Sequence, residues 1–205
     1  MKYDTDKIKA LLSVRLDEYR YVHSLGVARA AKELAKRYGE DEERAYFAGL
    51  VHDITKNTPY EEQLQIIENG GIILNSEEKN NKKLLHAISG SEFLRQELSV
   101  TDEEIISAVR YHTTGKSDMT VLEKIIYIAD FISAERSFNG VEYMRRLAFE
   151  SLDKAAMYAV DFCIPDLVSR RQVLHLDSVR LYNELIEKGI RPRLSGEEDT
   201  NDTAL

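Results

Sequence analysis

Thr120-Val121-Leu122-Glu123-Lys124-Ile125-Ile126-Tyr127-Ile128-Ala129-Asp130-Phe131-Ile132 is the stretch that decides the fold class. A hydroxyl at Thr120 and a carboxylate three residues later, at Glu123, form a capping box, the reciprocal side-chain and backbone pairing that starts a helix. The run behind it is apolar almost throughout, with one carboxylate, Asp130, set among apolar neighbours. An ionised carboxylate buried in such a place needs a cation or strong hydrogen bonds, because nothing else replaces its lost water. The ordinary alternative is that Asp130 bonds a neighbouring helix end.

The same helical grammar extends outward. Residues 20–38 place Val27, Ala30, Leu34 and Tyr38 at spacings of three or four, His23 extends that stripe one turn earlier, and Gly39 stands where a helix stop is expected. Two more capping boxes, Thr58-Pro59-Tyr60-Glu61 and Thr101-Asp102-Glu103-Glu104, predict helix starts near 58 and 101. Pro59 suits a first helical position, and Gly70-Gly71 ends that helix. Ile72-Ile73-Leu74 is too short and isolated to build a sheet, and no repeat is visible. The expectation is an all-α fold, one compact helical domain over residues 1–190. Residues 191–205 (RPRLSGEEDTNDTAL) are polar, acidic and nearly free of apolar side chains, so they are expected to form a disordered tail.

Composition narrows the function. A chain of 205 residues, 43% hydrophobic and 31% charged, fits a single domain with a sizeable core. A formal net charge of −8 argues against a nucleic-acid duplex as partner, since duplex binding needs a basic face to displace counterions. A small phosphate ligand held in a pocket remains compatible with it. The lone Cys163 excludes an intrachain disulfide framework and an all-cysteine zinc site, which makes the cytoplasm the default location. No apolar run approaches a membrane span, and Met1-Lys2-Tyr3-Asp4 leads into charged sequence unlike a signal peptide, so no membrane partner is expected.

The chemistry gathers at the histidines. Four of the five, His23, His52, His86 and His112, precede residue 113, each beside helical apolar sequence. A lone helical histidine is ordinarily a satisfied core or surface residue. Several together suggest a shared divalent metal, which satisfies one ring nitrogen while a carbonyl or carboxylate takes the other. The doublet His52-Asp53 offers a nitrogen and an oxygen ligand suited to Fe, Mn, Co or Zn. Two histidines and two aspartates, His23, His52, Asp53 and Asp130, carry two formal negative charges, which balance a divalent ion and leave positions for water and a phosphate oxygen.

The order His23, His52-Asp53, Asp130 resembles the H…HD…D signature of the HD-domain phosphohydrolases. The words RYVHSLGVA (20–28), AGLVHDITK (48–56), ISAVRYHTTG (106–115) and LEKIIYIAD (122–130) are more specifically similar to the YqeK family of bacterial symmetrical bis(5′-nucleosyl)-tetraphosphatases, a resemblance over roughly residues 5–188. It implies an iron-dependent cleavage of diadenosine tetraphosphate at its central anhydride, releasing two ADP. Carried over by position, His23, His52, Asp53 and Asp130 would bind the metal, with His23, Asp53 and Asp130 also adjoining the substrate, while Lys56, His86, His112, Thr113 and Arg136 would face the polyphosphate. Asp53, Lys56, His86 and His112 would take the catalytic roles. His86 and His112 could act as hydrogen-bond donors, as general acids, or as ligands of a second ion bridged by Asp53. Arg136 could fork onto phosphate oxygens or form a surface salt bridge. Thr113-Thr114-Gly115 reads as a loop of hydroxyl and amide donors or as a plain helix stop.

Two words depart from the family pattern. Ser133-Ala134-Glu135-Arg136-Ser137-Phe138-Asn139-Gly140 lacks the prolines that usually flank the arginine, which predicts a less rigid loop. His175-Leu176-Asp177-Ser178 alters the family's His-Pro-x-Thr word, which puts a contribution of His175 to nucleotide binding in doubt. Two other readings keep the metal or the nucleotide: an HD hydrolase of a guanosine polyphosphate alarmone or a simple nucleotide, and a sensing or assembly module that binds ADP or GDP and recruits a protein. The apolar helices between 141 and 165 could supply a homodimer face.

Overall fold

Thr120 opens its helix as its sequence requires. In the computed structural model, which describes residues 3–191, both halves of the Thr120 and Glu123 capping box are made, and α8 (Val121–Ile132) follows. Leu122, Ile125, Ile126, Ile128 and Ala129 on this helix are fully buried. Each large aliphatic side chain so placed contributes about 1.5–3 kcal/mol of burial. That burial is supplied by α2 (Glu18–Tyr38), α3 (Glu42–Val51), α7 (Glu103–Tyr111), α9 (Val141–Glu150) and α10 (Leu152–Ser169), all of which pack on α8.

The remaining helices enclose this centre. α1 (Thr5–Arg15) packs on α2 and α3, α4 (Tyr60–Asn69) and the short α5 (Ser76–Lys79) lead to α6 (Leu85–Gln96), which lies on α7, and α11 (Leu176–Glu187) lies on α10. One apolar core runs from Ile8 to Leu185, with a small satellite of Ile67, Leu85 and Ile88 beneath α4. The described residues are all-α with no strand. The tail expected over 191–205 lies, from residue 192 onward, outside the described residues. No helix among the described residues is long and apolar enough to cross a membrane.

Helix ends show where local sequence is overruled. Gly39 ends α2 in the left-handed region, φ 73°, as expected. The box expected at Thr58 does not form: α4 begins at Tyr60 with Pro59 before it and no side-chain cap, and the Thr58 hydroxyl instead accepts from Arg15 Nη2 at 3.1 Å. The box expected at Thr101 is displaced by one residue, because the Asp102 carboxylate, a stronger acceptor than a hydroxyl, takes the amides of Glu104 and Ile105.

Gly49 sets the spacing that matters most for the site. A Cβ there would stand 2.9 Å from the Cα of Ala28, so a side chain would push α3 off α2. Glycine lets the two helices touch, and His52 at the end of α3 is thereby brought beside His23 on α2.

Candidate metal centre

Four helix ends and turns deliver the histidines to one buried cluster. His23 sits in the second turn of α2, His52 caps the C-terminus of α3, His86 lies in the first turn of α6, and His112 caps the C-terminus of α7. All four are at most 3% exposed. Their rings form a chain, with centroids 5.2 Å apart from His23 to His52, 5.0 Å from His52 to His112, and 5.0 Å from His112 to His86.

One backbone device orients three of these rings. Nδ1 of His52 faces the carbonyl of Gly49 at 2.8 Å, that of His86 the carbonyl of Lys83 at 2.7 Å, and that of His112 the carbonyl of Val109 at 2.8 Å. A carbonyl only accepts, so each Nδ1 carries a proton and Nε2 is the ring atom left facing the cluster. Burial lowers the pKa of His52 to about 3 and that of His86 to about 4, in both cases against the pull of Asp53, so both rings are neutral near pH 7.

His23 is held differently. Its Nδ1 meets the carboxylate of Glu135, and its Nε2 lies 3.0 Å from Oδ1 of Asp130. Burial disfavours its charge, yet the two carboxylates outweigh that and raise its pKa. A cation between His23 and Asp130 would take the place of that proton. Asp130 is bound at its Oδ1 and at its carbonyl, 2.8 Å away, by Nη2 and Nε of Arg136. Burial works against its ionisation, but the contact with His23 and the charges around it leave its pKa depressed.

Asp53 is the hub. Oδ1 lies 3.1 Å from Nε2 of His86, 3.5 Å from Nε2 of His112 and 3.4 Å from Nζ of Lys56; Oδ2 lies 3.3 Å from Nη1 of Arg20 and 3.7 Å from Nε2 of His52. Burial opposes its charge, and the surrounding imidazoles more than compensate, holding its pKa well below the usual range. The turn that carries Asp53 is tied to α6 by the Thr55 hydroxyl, which donates to the His86 carbonyl at 2.7 Å.

The donor set fits a divalent ion. Nε2 of His23, Nε2 of His52 and Oδ1 of Asp53 are fully buried and have no partner in hydrogen-bond geometry beyond the ion-pair contacts of His23 with Asp130 and of Asp53 with His86, His112 and Lys56, a costly arrangement unless an ion satisfies them. Ligand atoms of His23, His52 and Asp130 lie within 4.8 Å of one another, and so do those of His52, Asp53 and His112. The two groups share His52, so the cluster accommodates one ion or two neighbouring ions, with nitrogen and oxygen ligands of the kind that transition metals favour.

The other expected residues fall around this cluster. Lys56 Nζ is 2.9 Å from Nε2 of His86, and burial lowers its pKa. The Thr113 hydroxyl is 3.1 Å from Nε2 of His112 and 3.4 Å from Nε2 of His86, whereas the Thr114 hydroxyl turns back to the Gly115 carbonyl at 2.9 Å. Gly115, φ 63°, ends the turn, so this word is a helix stop that also presents one hydroxyl to the cluster. Arg136 spends two of its nitrogens on Asp130, and the surface salt bridge considered for it becomes a support of the site. His175 caps α11 through Nδ1, which accepts from the Asp177 amide at 3.2 Å, and lines a cavity together with Thr113 and Thr114. The loop without prolines is pinned by Arg145, which donates to the carbonyls of Ile132, Ser133 and Arg136.

Two contributors escaped the sequence reading. Glu135, to which the sequence assigns no role beyond its loop, orients His23, and its own carboxylate accepts from Ser133 Oγ at 2.6 Å. The available signal was Gly26, three residues after His23, where a Cβ would come 2.5 Å from Oε2 of Glu135. Arg20, in the same sequence word as His23, grips Asp53.

Comparison with known proteins agrees with this geometry. The HD domain matches residues 20–135. The symmetrical bis(5′-nucleosyl)-tetraphosphatase of Bacillus subtilis is 38% identical over 86% of this chain and 95% of its own length; that of Halalkalibacterium halodurans is 35% identical over 88% and 96%. A solved chain from Clostridium acetobutylicum, described as a "predicted HD superfamily hydrolase involved in NAD metabolism", is 40% identical and superimposes with a TM-score of 0.88 over 92% of this chain and all of that one. With the HD doublet at the centre of a buried, ion-ready cluster and relatives similar over nearly their whole length, the chain belongs to the HD domain family and, within it, to the symmetrical bis(5′-nucleosyl)-tetraphosphatases.

Proposed function

We propose that the protein hydrolyses dinucleoside tetraphosphates, diadenosine tetraphosphate foremost, at the central anhydride to give two nucleoside diphosphates. The observation that carries this reading is the set of buried, unbonded ligand atoms on His23, His52 and Asp53, next to Asp130, in a chain whose relatives bear that activity in their names. His23, His52, Asp53 and Asp130 would hold a divalent ion, for which iron is our choice over Mn, Co or Zn. Such an ion supplies Lewis-acid chemistry, withdrawing charge from a phosphoryl oxygen and making water a better nucleophile at neutral pH.

The chain's own residues prepare that chemistry. Glu135 and the carbonyls of Gly49, Lys83 and Val109 fix the imidazole orientations, the kind of support that costs about 10–100-fold in metal affinity when removed. Nδ1 of His86 and of His112 is spent on a backbone carbonyl and Nε2 of each faces Asp53, which favours their use as ligands of a second ion over a general-acid role. Lys56, Arg20 and the Thr113 hydroxyl supply donors for phosphate oxygens around the cluster, and Arg136 keeps Asp130 ionised and aimed, leaving one nitrogen to donate to the substrate.

Anaerobic incubation of iron-loaded protein with diadenosine tetraphosphate, with nucleotides resolved by chromatography, tests this directly. Two ADP per substrate supports it. AMP with ATP would move the point of attack, and turnover confined to guanosine polyphosphates or simple nucleotides would reassign the substrate.

A further inference from the structure

A cavity of about 400 Å³ opens beside the cluster and is lined by Arg20, Lys56, Gln63, Lys82, Lys83 and His86. Four of these six side chains are cationic and none is acidic, in a chain whose net charge is −8. The concentration of positive charge is therefore local, and it faces a buried wall. His86 is 3% exposed and Gln63 8%, with the Gln63 amide fixed by donation to the Thr58 carbonyl at 2.7 Å.

The four cations fall into two ranks. Arg20 and Lys56 lie 3.3 and 3.4 Å from the Asp53 carboxylate and belong to the charge balance of the cluster. Lys82 and Lys83 form no ion pair among the described residues; Lys82 instead lies over the Tyr60 ring, 4.1 Å from its centroid. A lysine whose charge is an ordinary solubilising one has no need of a concave, acid-free wall shared with the catalytic hub. An oligophosphate running outward from Asp53 would meet the inner rank at the phosphates being separated and the outer rank at the phosphates beyond them.

We propose that this cavity is the subsite for the distal diphosphate of the substrate, and that Lys82 and Lys83 set selectivity for a four-phosphate chain over a shorter one. The ligand class is a linear oligophosphate, each phosphate of which carries negative charge and accepts the lysine protons in charge-assisted hydrogen bonds. The assignment rests on the hydrolase reading above and adds to it the direction in which the phosphate chain lies and the residues that measure its length.

The test uses the full-length metal-loaded protein and the double variant Lys82→Gln/Lys83→Gln. Both positions are exposed, so the fold tolerates the change. Turnover of diadenosine tetraphosphate and diadenosine triphosphate is compared, and binding of inorganic tripolyphosphate is measured by calorimetry. The expected result is a loss of about tenfold or more in kcat/KM for the tetraphosphate, the size of one charge-assisted hydrogen bond, carried mainly by KM. The loss for the triphosphate is smaller, so the preference narrows. Tripolyphosphate binding weakens in parallel, and Lys82→Arg/Lys83→Arg retains both. An unchanged preference together with unchanged tripolyphosphate affinity would overturn the inference while leaving the hydrolase reading intact. Should the wild type fail to cleave the tetraphosphate and the variant still lose tripolyphosphate, the oligophosphate subsite would stand and the hydrolase reading would fall.

Discussion

The two ends of α3 hold charge in opposite ways. Near its start, Arg44 donates to both carboxylate oxygens of Asp102 at 2.9 and 3.0 Å, to Glu104 at 2.8 Å and to Glu40 at 3.1 Å, so all three guanidinium nitrogens are engaged. At its end, His52 and Asp53 face other histidines and Asp53 pairs with Arg20 and Lys56, yet three buried ligand atoms of the cluster have no partner in hydrogen-bond geometry. The first network closes on itself and joins α3 to α7; the second closes only on something the chain does not supply. A polar network completed from within is evidence of structure, and one left open in a buried place is evidence of a ligand.

The contrast can be broken most forcefully by chelation. Removing the metal is expected to abolish turnover and to lower the melting temperature, because an ion bound only by the folded chain stabilises it by about 2.7 kcal/mol at a hundred times its Kd. Calorimetry with and without chelator checks this, and an unmoved transition would mean that the open network is satisfied without an ion. Glu135→Gln should act next most strongly, weakening metal affinity by about 10–100-fold through a misaligned His23 while the apoprotein keeps its fold. Titration of the apoprotein with metal gives that number directly.

At the other end of α3 the expected effects are on stability alone. Arg44→Met should cost about 1–2 kcal/mol in denaturant unfolding, the modest figure suited to a half-exposed network, with kcat per folded molecule unchanged. The smallest effect is on acid stability. Hydrogen bonding from Arg44 lowers the Asp102 pKa against the opposing cost of burial. A carboxyl depressed in the folded state contributes stability that is fully present above its unfolded pKa near 3.9 and is lost as pH falls through the lower folded value. Asp102→Asn should therefore flatten the unfolding curve below about pH 4 and leave its shape at neutral pH alone.

The same contrast explains what was legible in the sequence. His23, the His52-Asp53 doublet and Asp130 could be named because each is an ionisable group in an apolar helical context, and such a group needs a reason. The Thr120 box could be named because its partners are three residues apart. Thr58 and Thr101 misled because their fate was decided elsewhere: Arg15 claims one hydroxyl, and the neighbouring Asp102 outcompetes the other. Glu135, Arg20 and the Lys82 and Lys83 pair were invisible for the same reason. They act on the site only after α2, the loop following α8 and the segment before α6 have met, and no local spacing encodes that meeting.

The central claim is that the buried, unbonded atoms of this cluster exist to hold a catalytic ion. Metal content per chain, measured together with diadenosine tetraphosphate turnover for the wild type and for Asp53→Ala, tests it most directly. The account predicts at least one ion per wild-type chain, and in the variant a folded protein with reduced metal and turnover lower by about 10³-fold or more, as expected when several kcal/mol of transition-state charge stabilisation are lost. A folded Asp53→Ala protein that turns over substrate at the wild-type rate would contradict it.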